Sequence, residues 1–152
     1  MSGKQEITKQ EQKLQKRSGI MELQNSLMEL VDGENVVKGD SGVFPLKHTF
    51  TDGIYIRQMS MEKDSFVIGK IHKHNHVWFL LTGMISVADE NNTVDHIAPC
   101  YVEAPAGSKR MIYAHEDSIW VNIHANPSNT QDLEELEELI IAKDYEEFNN
   151  KK

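Results

Sequence analysis

The chain has 152 residues, a length typical of one globular domain. It carries 24 acidic and 16 basic residues, for a formal net charge of −8 at pH 7, so it lacks the basic excess that binding to a nucleic acid polymer requires. No segment approaches 18 consecutive apolar residues, and the polar N-terminus lacks a signal-peptide core, so no membrane partner is expected. A lone cysteine, Cys100, excludes an internal disulfide and favours a reducing, cytoplasmic location.

The first 43 residues divide into two predicted segments. Residues 1–17 are rich in Lys, Gln and Glu with a local charge of +3, which predicts a flexible polar arm. From Ile20 the apolar residues Leu23, Leu27 and Leu30 recur at helical spacing up to Asp32-Gly33. Residues 18–43 are therefore predicted to form an N-terminal helix and a linker.

Residues 44–126 contain short strand patterns separated by turn signals. The predicted strands are 46–50, 54–61, 66–71, 77–81, 84–88, 93–97, 100–103, 111–114 and 119–124. Short strands at regular spacing predict a mainly β, single-domain barrel or sandwich. A small barrel of this kind has no free edge and can hold one ligand in its mouth.

Residues 127–152 are predicted to form a C-terminal acidic amphipathic helix. Its apolar stripe comprises Leu133, Leu136, Ile140, Ile141, Tyr145 and Phe148, and acidic residues crowd its start, where the helix dipole is positive. The stripe is expected to dock on the barrel or on a partner. Together with the N-terminal helix it predicts a homo-oligomer formed through the terminal helices.

Two motifs stand out inside the strand-rich region. The first runs from Gly69-Lys-Ile-His72-Lys-His74-Asn-His76 through an apolar strand to Thr82-Gly83, and the second is Pro105-Ala-Gly107-Ser-Lys109-Arg110. They resemble the two motifs of the cupin superfamily, which implies a jelly-roll barrel around a small-molecule pocket. In this resemblance the four usual metal-ligand positions fall on Lys70, His72, His76 and Arg110.

The resemblance is closer to small cupin-like proteins of tailed bacteriophages. Their shared core reads here as the two motifs followed by Tyr113-Ala-His-Glu-Asp117 and Trp120-Val-Asn-Ile-His124. This implies a phage-encoded protein that works in the host cytoplasm, and it implies no particular activity.

A divalent transition metal is one candidate ligand. It needs three or four nitrogen, oxygen or sulfur donors that converge on one point. His72 and His76 are candidate donors, with His74, His124 or Glu103 as a third. Lys70 and Arg110 would repel a divalent cation at the same place, so no metal cofactor is favoured.

An anionic small molecule is the favoured ligand. Lys70, His72, His76 and Arg110 would face one mouth of the barrel, with Arg110 as a planar fork for carboxylate or phosphate. Tyr113 and Trp120 are candidates for stacking on a ligand ring, with plain core packing as the alternative. Arg110 and Lys109 would otherwise pair with carboxylates at the rim, namely Glu103, Glu116 or Asp117.

The residues therefore favour a binding module that captures an anionic metabolite or nucleotide, in a phage setting a host signal, over catalysis. A metal-dependent cupin enzyme, dioxygenase- or isomerase-like, and a structural virion or assembly protein are the alternatives.

Overall fold

The computed structural model describes residues 8–29 and 44–150. Within these two ranges no helix has the length and apolar character needed to cross a bilayer.

Helix α1 spans Lys9–Glu29, so it begins well before residue 18. Thr8 and Glu11 form a capping box: the Glu11 amide donates to the Thr8 hydroxyl oxygen (3.2 Å), and the Thr8 amide donates to the Glu11 carboxylate (2.7 Å). This cap explains why residues 9–17, predicted as a flexible arm, are helical here. The predicted helix end at Asp32-Gly33, the linker up to residue 43 and residues 1–7 lie outside the described residues.

Eleven strands form three antiparallel sheets in the described part of the chain. The five-stranded sheet has the order β1 (Leu46–Thr51), β2 (Ile54–Met61), β10 (Ser118–Ala125), β5 (His76–Thr82) and β8 (Cys100–Ala104). The four-stranded sheet has the order β3 (Phe66–Ile68), β9 (Met111–Ala114), β6 (Met84–Ala88) and β7 (Thr93–Ile97). The third sheet pairs β4 (Ile71–His72) with β11 (Ile141–Ala142).

The apolar core lies between the two large sheets. Alternate residues of each strand point inward, since successive side chains of a strand face opposite sides. Trp78 on β5 stacks on Trp120 of β10 with ring centroids 4.0 Å apart, and both are almost fully buried. The other buried members of this core are Phe44, Met59, Met61, Leu80, Ile85, Val87, Ala104, Ile112 and Ala114.

The C-terminal segment is helix, strand and helix rather than one helix. Helix α2 (Leu133–Ile140) begins at the cap Asp132, and helix α3 (Tyr145–Asn149) begins at the cap Asp144. Between them β11 pairs Ile141 with His72 and Ala142 with Ile71. The predicted continuous stripe is interrupted because this backbone pairing with the barrel replaces a turn of helix. The barrel therefore also takes in residues beyond the predicted boundary at 126.

Helix α2 closes one end of the barrel. Its buried residues Leu136 and Ile140 pack on Tyr55 of β2, with Phe50 and Ile141 at the edge of the contact. Lys73 also holds the C-terminal segment against the barrel. Its amide donates to the Ile140 carbonyl (2.7 Å), and its ammonium lies 3.4 Å from the Glu147 carboxylate. We name residues 133–149 the C-terminal cap.

Two motif glycines are required by close contacts. Gly83 has φ +89°, and a Cβ there would lie 2.1 Å from Ser118 Oγ and 2.5 Å from the Asp117 carbonyl oxygen. Gly107 has φ +82°, and a Cβ there would lie 2.6 Å from the Phe148 ring of the C-terminal cap. Both positions combine a left-handed backbone with no room for a side chain.

We predict that Gly83→Ala lowers the free energy of unfolding by about 3 kcal/mol or more, because it adds a backbone clash to left-handed strain. Gly53→Ala is the matched control for strain alone, since Gly53 has φ +71° and a Cβ added there would meet nothing within 4 Å. It should cost about 1 kcal/mol. Gly19→Ala, in open space on α1, should be neutral or stabilising by up to about 1 kcal/mol. Urea unfolding of the three variants measures these differences, and equal losses for Gly83→Ala and Gly53→Ala would contradict the clash.

Candidate functional site

The inward-facing positions change from apolar to polar towards the end of the barrel under the C-terminal cap. On β5 the inward series runs from Leu80 through Trp78 to His76, and on β10 it runs from Trp120 through Asn122 to His124. The strands β1, β2 and β4 add further polar residues at this end. We name the polar half of the barrel by its residues: His48, Tyr55, Arg57, His72, His76, Arg110, Asn122 and His124.

Three histidine rings form the centre of the polar half. The ring centroids of His72 and His76 are 4.1 Å apart, those of His76 and His124 are 4.8 Å apart, and those of His72 and His124 are 5.3 Å apart. All three side chains are buried. They come from β4, β5 and β10. The pairing of β5 with β10 places His76 and His124, and the pairing of β4 with β11 places His72.

The cluster continues along a row of nearly parallel rings. His124 stacks on Tyr55 (centroids 5.9 Å apart, 22° between planes), and Tyr55 stacks on His48 (5.9 Å, 13°). The Tyr55 hydroxyl and His48 Nδ1 are 2.7 Å apart, within hydrogen-bond distance. Burial raises the pKa of Tyr55, the nearby Arg57 charge opposes this, and the Glu137 charge adds to it. Tyr55 is therefore a neutral phenol. It contacts both the histidine cluster and the buried side of α2.

The three histidines are neutral at neutral pH. Burial lowers the pKa of His76 to about 4 and that of His124 to about 3, and it lowers the pKa of His72 well below its ordinary value. Neighbouring positive charge adds to these shifts, from Arg110 at His72 and His76 and from Arg57 at His72 and His124. Among the described residues, no well-formed hydrogen bond reaches Nδ1 of His72 or either ring nitrogen of His76, although the nearby Asn122 side chain and His74 backbone act to raise the pKa of His76 against its burial.

Arg110 lies beside this cluster and is 7% exposed. The backbone places it there, because the Gly69 amide donates to the Arg110 carbonyl (2.7 Å) and the Gly107 amide donates to the His72 carbonyl (2.8 Å). Its guanidinium donates to Ser108 Oγ (2.7 Å). Burial lowers the pKa of Arg110, and the more distant charges of Asp89 and Glu90 oppose that effect.

The basic residues here lack direct carboxylate partners. Within residues 8–29 and 44–150, no carboxylate lies within 4.0 Å of the charged groups of Arg57, Lys109 or Arg110. The predicted alternative, pairing of Lys109 and Arg110 with Glu103, Glu116 or Asp117, is therefore not observed. Lys109 is itself buried, and its burial, together with the charge of Lys70, lowers its pKa to about 8.

The structure brings together His72, His76 and Arg110, three of the four residues predicted to face one mouth. Lys70 is exposed on the rim and forms an ion pair with Glu137 of α2. Of the candidate stacking residues, Trp120 is in the apolar core, where its indole N–H donates to Asn122 Oδ1 (2.9 Å). Tyr113 lies on the four-stranded sheet and donates to Asp64 (2.7 Å), so it is not part of the polar half.

Of the three candidate third donors, only His124 joins the cluster. His74 is exposed in the turn between β4 and β5, and Glu103 is exposed on the outer side of β8.

Sequence reasoning missed Arg57, Tyr55, Asn122 and His48. The alternation of Trp120, Asn122 and His124 along one strand was the available signal for a shared inward face.

The resemblance to cupins implies a metal ion held by residues of the two motifs. The side chains present here fit a metal ion only in part. Three neutral imidazoles are the donors of known zinc sites. However, in the described part of the chain no group of three or more His, Cys, Asp or Glu side chains is placed to hold a metal ion. Two guanidinium groups next to the histidines also disfavour a divalent cation.

Two cavities lie away from the histidines. One of about 280 Å³ is lined by residues that include Met61, Thr82 and Ser118, at the apolar end of the barrel. The other, of about 320 Å³, lies between α1 and the four-stranded sheet and includes Ile20, Ala88 and Met111. Neither is lined by a residue of the polar half.

We predict that acid weakens the fold through the buried histidines. Their pKa values are lower in the folded chain than the ordinary 6.5, so the unfolded chain binds more protons at acid pH. The stability that they contribute is complete above about pH 6.5 and is lost as the pH falls towards 4 for His76 and 3 for His124, at up to about 1.4 kcal/mol per unit for each. Between pH 6.5 and 5, His124→Gln should therefore lose about 1–2 kcal/mol less unfolding free energy than the parent.

Urea unfolding at the two pH values measures this difference. His74→Gln is the control, because His74 is exposed, and it should follow the parent. An identical loss in the parent and in His124→Gln would show that His124 does not carry the effect.

Comparison with known proteins identifies the fold. No protein-family model matches the sequence, and no curated protein is significantly similar to it. Among solved structures, KdgF from Halomonas sp. is similar at TM-score 0.50 and 13% identity, over 58% of this chain and 84% of that one. A cupin 2 conserved barrel domain protein from Leptotrichia buccalis is similar at TM-score 0.50 and 18% identity, over 65% and 47%.

Salicylate 1,2-dioxygenase from Pseudoaminobacter salicylatoxidans, in adducts with gentisate, is similar at TM-score 0.52 and 10% identity, over 70% of this chain and 31% of that one. At these identities the likeness is one of fold. It confirms the predicted mainly β, single-domain architecture: the chain has the cupin-type β-barrel fold, with helices at both ends.

Proposed function

We propose that the protein binds a small anionic molecule, through a carboxylate or phosphate group, in the polar half of its barrel. The observation that carries this proposal is Arg110, which is 7% exposed and has no carboxylate within 4.0 Å among the described residues. A buried cation without a partner is costly, and protein interiors normally pair such charges.

The surroundings of Arg110 make the binding of an anion more favourable. Arg57 adds a second guanidinium near His72 and His124, since its charge lowers the pKa of both. The histidines supply no negative charge, because they are neutral. An anion beside these guanidinium groups would offset the cost of their burial and would accept charge-assisted hydrogen bonds.

The histidines would act as adjustable donors to such an anion. A neutral imidazole donates one N–H, and an imidazolium donates two. Negative charge beside the cluster would raise the lowered pKa values of His72, His76 and His124. Binding is therefore coupled to proton uptake, and affinity should increase as the pH falls from about 6 towards the lowered pKa values of about 4 for His76 and about 3 for His124.

Access to the polar half passes the C-terminal cap. Leu136 and Ile140 cover Tyr55, and the rim carries the ion pair between Lys70 and Glu137. Once its ion pair with Glu137 is broken, Lys70 would attract an incoming anion at the entrance. A nucleotide, such as the host signal implied by the phage resemblance, would require displacement of residues 133–149.

We predict that Arg110→Ala weakens anion binding at least about tenfold, since hydrogen bonds to a charged group contribute about 1.5–3 kcal/mol. Arg110→Lys should restore only part of the affinity, because the planar fork is lost. The probes are inorganic phosphate, a set of dicarboxylates, sugar phosphates and cyclic nucleotides, screened by thermal shift and then titrated by calorimetry at pH 6 and pH 8. Lys63→Ala removes one positive charge at an exposed position away from the site and serves as the control.

Two results would contradict the proposed function. One is the absence of any thermal stabilisation by the anion set at both pH values. The other is an Arg110→Ala protein that binds a hit as tightly as the parent and the Lys63→Ala control.

A metal-dependent cupin enzyme is the second candidate, and one observation favours it. Three neutral imidazoles face each other, and no well-formed hydrogen bond from the described residues reaches the ring nitrogens of His76 or Nδ1 of His72. Elemental analysis of protein prepared without a histidine tag separates the two candidates. Under the proposed function the transition-metal content should be well below one equivalent. Stoichiometric metal that is lost in both His72→Ala and His124→Ala would favour the enzyme instead.

A further inference from the structure

Helix α1 is fastened to the barrel through one buried carboxylate. Glu90, in the turn between β6 and β7, is 4% exposed. Two cations of α1 pair with its Oε1, Arg17 at 3.3 Å and Lys13 at 3.6 Å. A buried charge of this kind is costly without such partners. Glu90 therefore fixes the place of α1 on the barrel, and Ile20 of the same helix is buried beside the four-stranded sheet.

Arg17 also contacts the C-terminal cap. Its guanidinium carbon lies 4.5 Å from the ring centroid of Tyr145, the first residue of α3, which is the geometry of a cation–π contact. Burial raises the pKa of Tyr145 to about 12, and the Glu90 charge adds to this effect while the Arg17 charge opposes it. The ring is therefore a neutral phenol held against a cation. One arginine thus joins α1, the turn at Glu90 and the cap.

Helix α3 depends on contacts of this kind. It has five residues, none of which is buried, and a helix so short is not stable by itself. In its C-terminal half the Phe148 ring lies against Gly107, and the Glu147 carboxylate lies 3.4 Å from the Lys73 ammonium. At its N-terminal end Tyr145 contacts Arg17 of α1. Loss of that contact would therefore release one end of α3.

The junction of Arg17, Glu90 and Tyr145 is only partly satisfied. No hydrogen bond from the described residues reaches Arg17 Nε, Glu90 Oε2 or the Tyr145 hydroxyl, and all three atoms are buried. Unsatisfied buried polar atoms lower the net stability of a contact. The junction therefore costs less to separate than a fully bonded network would. Elements that move to admit a ligand are drawn from such regions of low stability.

We propose that α1 is a latch on the C-terminal cap, with Arg17 as the residue that couples the two, and that this latch sets which anions reach the polar half. The latch rests on the proposed function, because it controls access to the same site. While α1 is docked, Arg17 holds Tyr145 and the cap stays closed. When α1 leaves Glu90, α3 loses this contact and the cap opens more often.

Selection by size follows from the equilibrium of the cap. The apparent affinity for a ligand that needs the open cap is proportional to the fraction of molecules in which the cap is open. A nucleotide needs a larger displacement of the cap than inorganic phosphate does. Docked α1 therefore disfavours large anions more than small ones, and Arg17 is a positioning residue that acts through Tyr145.

Hydrogen exchange of the full chain without ligand, measured by mass spectrometry, tests the coupling. Arg17→Ala should speed exchange in residues 133–149 about fivefold, the scale expected for loss of one partly buried cation–π contact. Arg17→Lys keeps a charge over the ring and should restore much of the protection. Lys9→Ala is the control, because it removes one charge from an exposed position of the same helix, and it should exchange like the parent. Unchanged exchange of residues 133–149 in Arg17→Ala would overturn the latch, and so would an equal increase in β1, which belongs to the other sheet.

The reverse direction of the coupling gives a second test, since coupling between two sites is reciprocal. Tyr145→Leu removes the ring that Arg17 covers and should speed exchange in α1. Tyr145→Phe keeps the ring and loses only a hydroxyl that has no partner among the described residues, so α1 should exchange as in the parent. Equal exchange of α1 in these two variants would contradict the role of the ring.

Calorimetry with inorganic phosphate and a cyclic nucleotide tests the control of access. The ratio of the association constant of the nucleotide to that of phosphate should rise about fivefold in Arg17→Ala and return towards the parent value in Arg17→Lys. The ratio is the proper measure because Arg110 would serve both ligands, so an effect of the Glu90 charge on Arg110 cancels. An unchanged ratio would overturn the control of access. Faster exchange in the cap of Arg17→Ala, with no anion bound by parent or variant, would contradict the proposed function and support the coupling; anion binding with unchanged exchange would do the reverse.

Discussion

Burial of positive charge is the constraint on which the polar half of the barrel depends. Arg110 is held in place by backbone pairing on both sides of residue 110 and cannot easily turn to solvent. Burial keeps the neighbouring histidines neutral, and the charges of Arg110 and Arg57 add to this effect. The proposed anion binding follows from this composition, because the site contains the cations Arg110 and Arg57 and no carboxylate. The same cations explain why the histidine cluster alone is not a sufficient reason to infer a metal.

One strand links the site to the outer face. The inward residues Trp120, Asn122 and His124 of β10 pass from the apolar core to the polar half, and its outward residues Ile119, Val121 and Ile123 lie on the outer side of the five-stranded sheet. A slip of one residue in the pairing of β10 would exchange these two sets. The aliphatic side chains would then face the site, and the site residues would face outward. The register of β10 with β2 and β5 is therefore specified from both faces at once.

The sequence predicts the barrel and one side of the site because both are encoded locally. Gly83 and Gly107 mark turns where no side chain fits, and His72 and His76 lie within one short segment. The remaining site residues are contributed by distant strands: His124 lies 48 residues after His76, and Arg57 lies on β2. Only the order of strands in the sheet brings them together, and that order is not a local property. The position of Lys70 on the rim could not be predicted for a related reason. Its ion-pair partner Glu137 belongs to a helix whose position the sequence does not specify.

The C-terminal cap shows how a tertiary contact can override a clear sequence pattern. The stripe from Leu133 to Phe148 has helical spacing, yet Ile141 and Ala142 are extended. The free energy gained there comes from backbone pairing with β4 and from burial of Ala142, and it outweighs the continuation of a marginal helix. The consequence reaches the site directly. His72 is paired with Ile141 on one side, and its carbonyl accepts from Gly107 on the other, so the cap and the second motif fix the same residue. Displacement of the cap would therefore release one of the two restraints on His72 at the moment when the polar half opens to solvent.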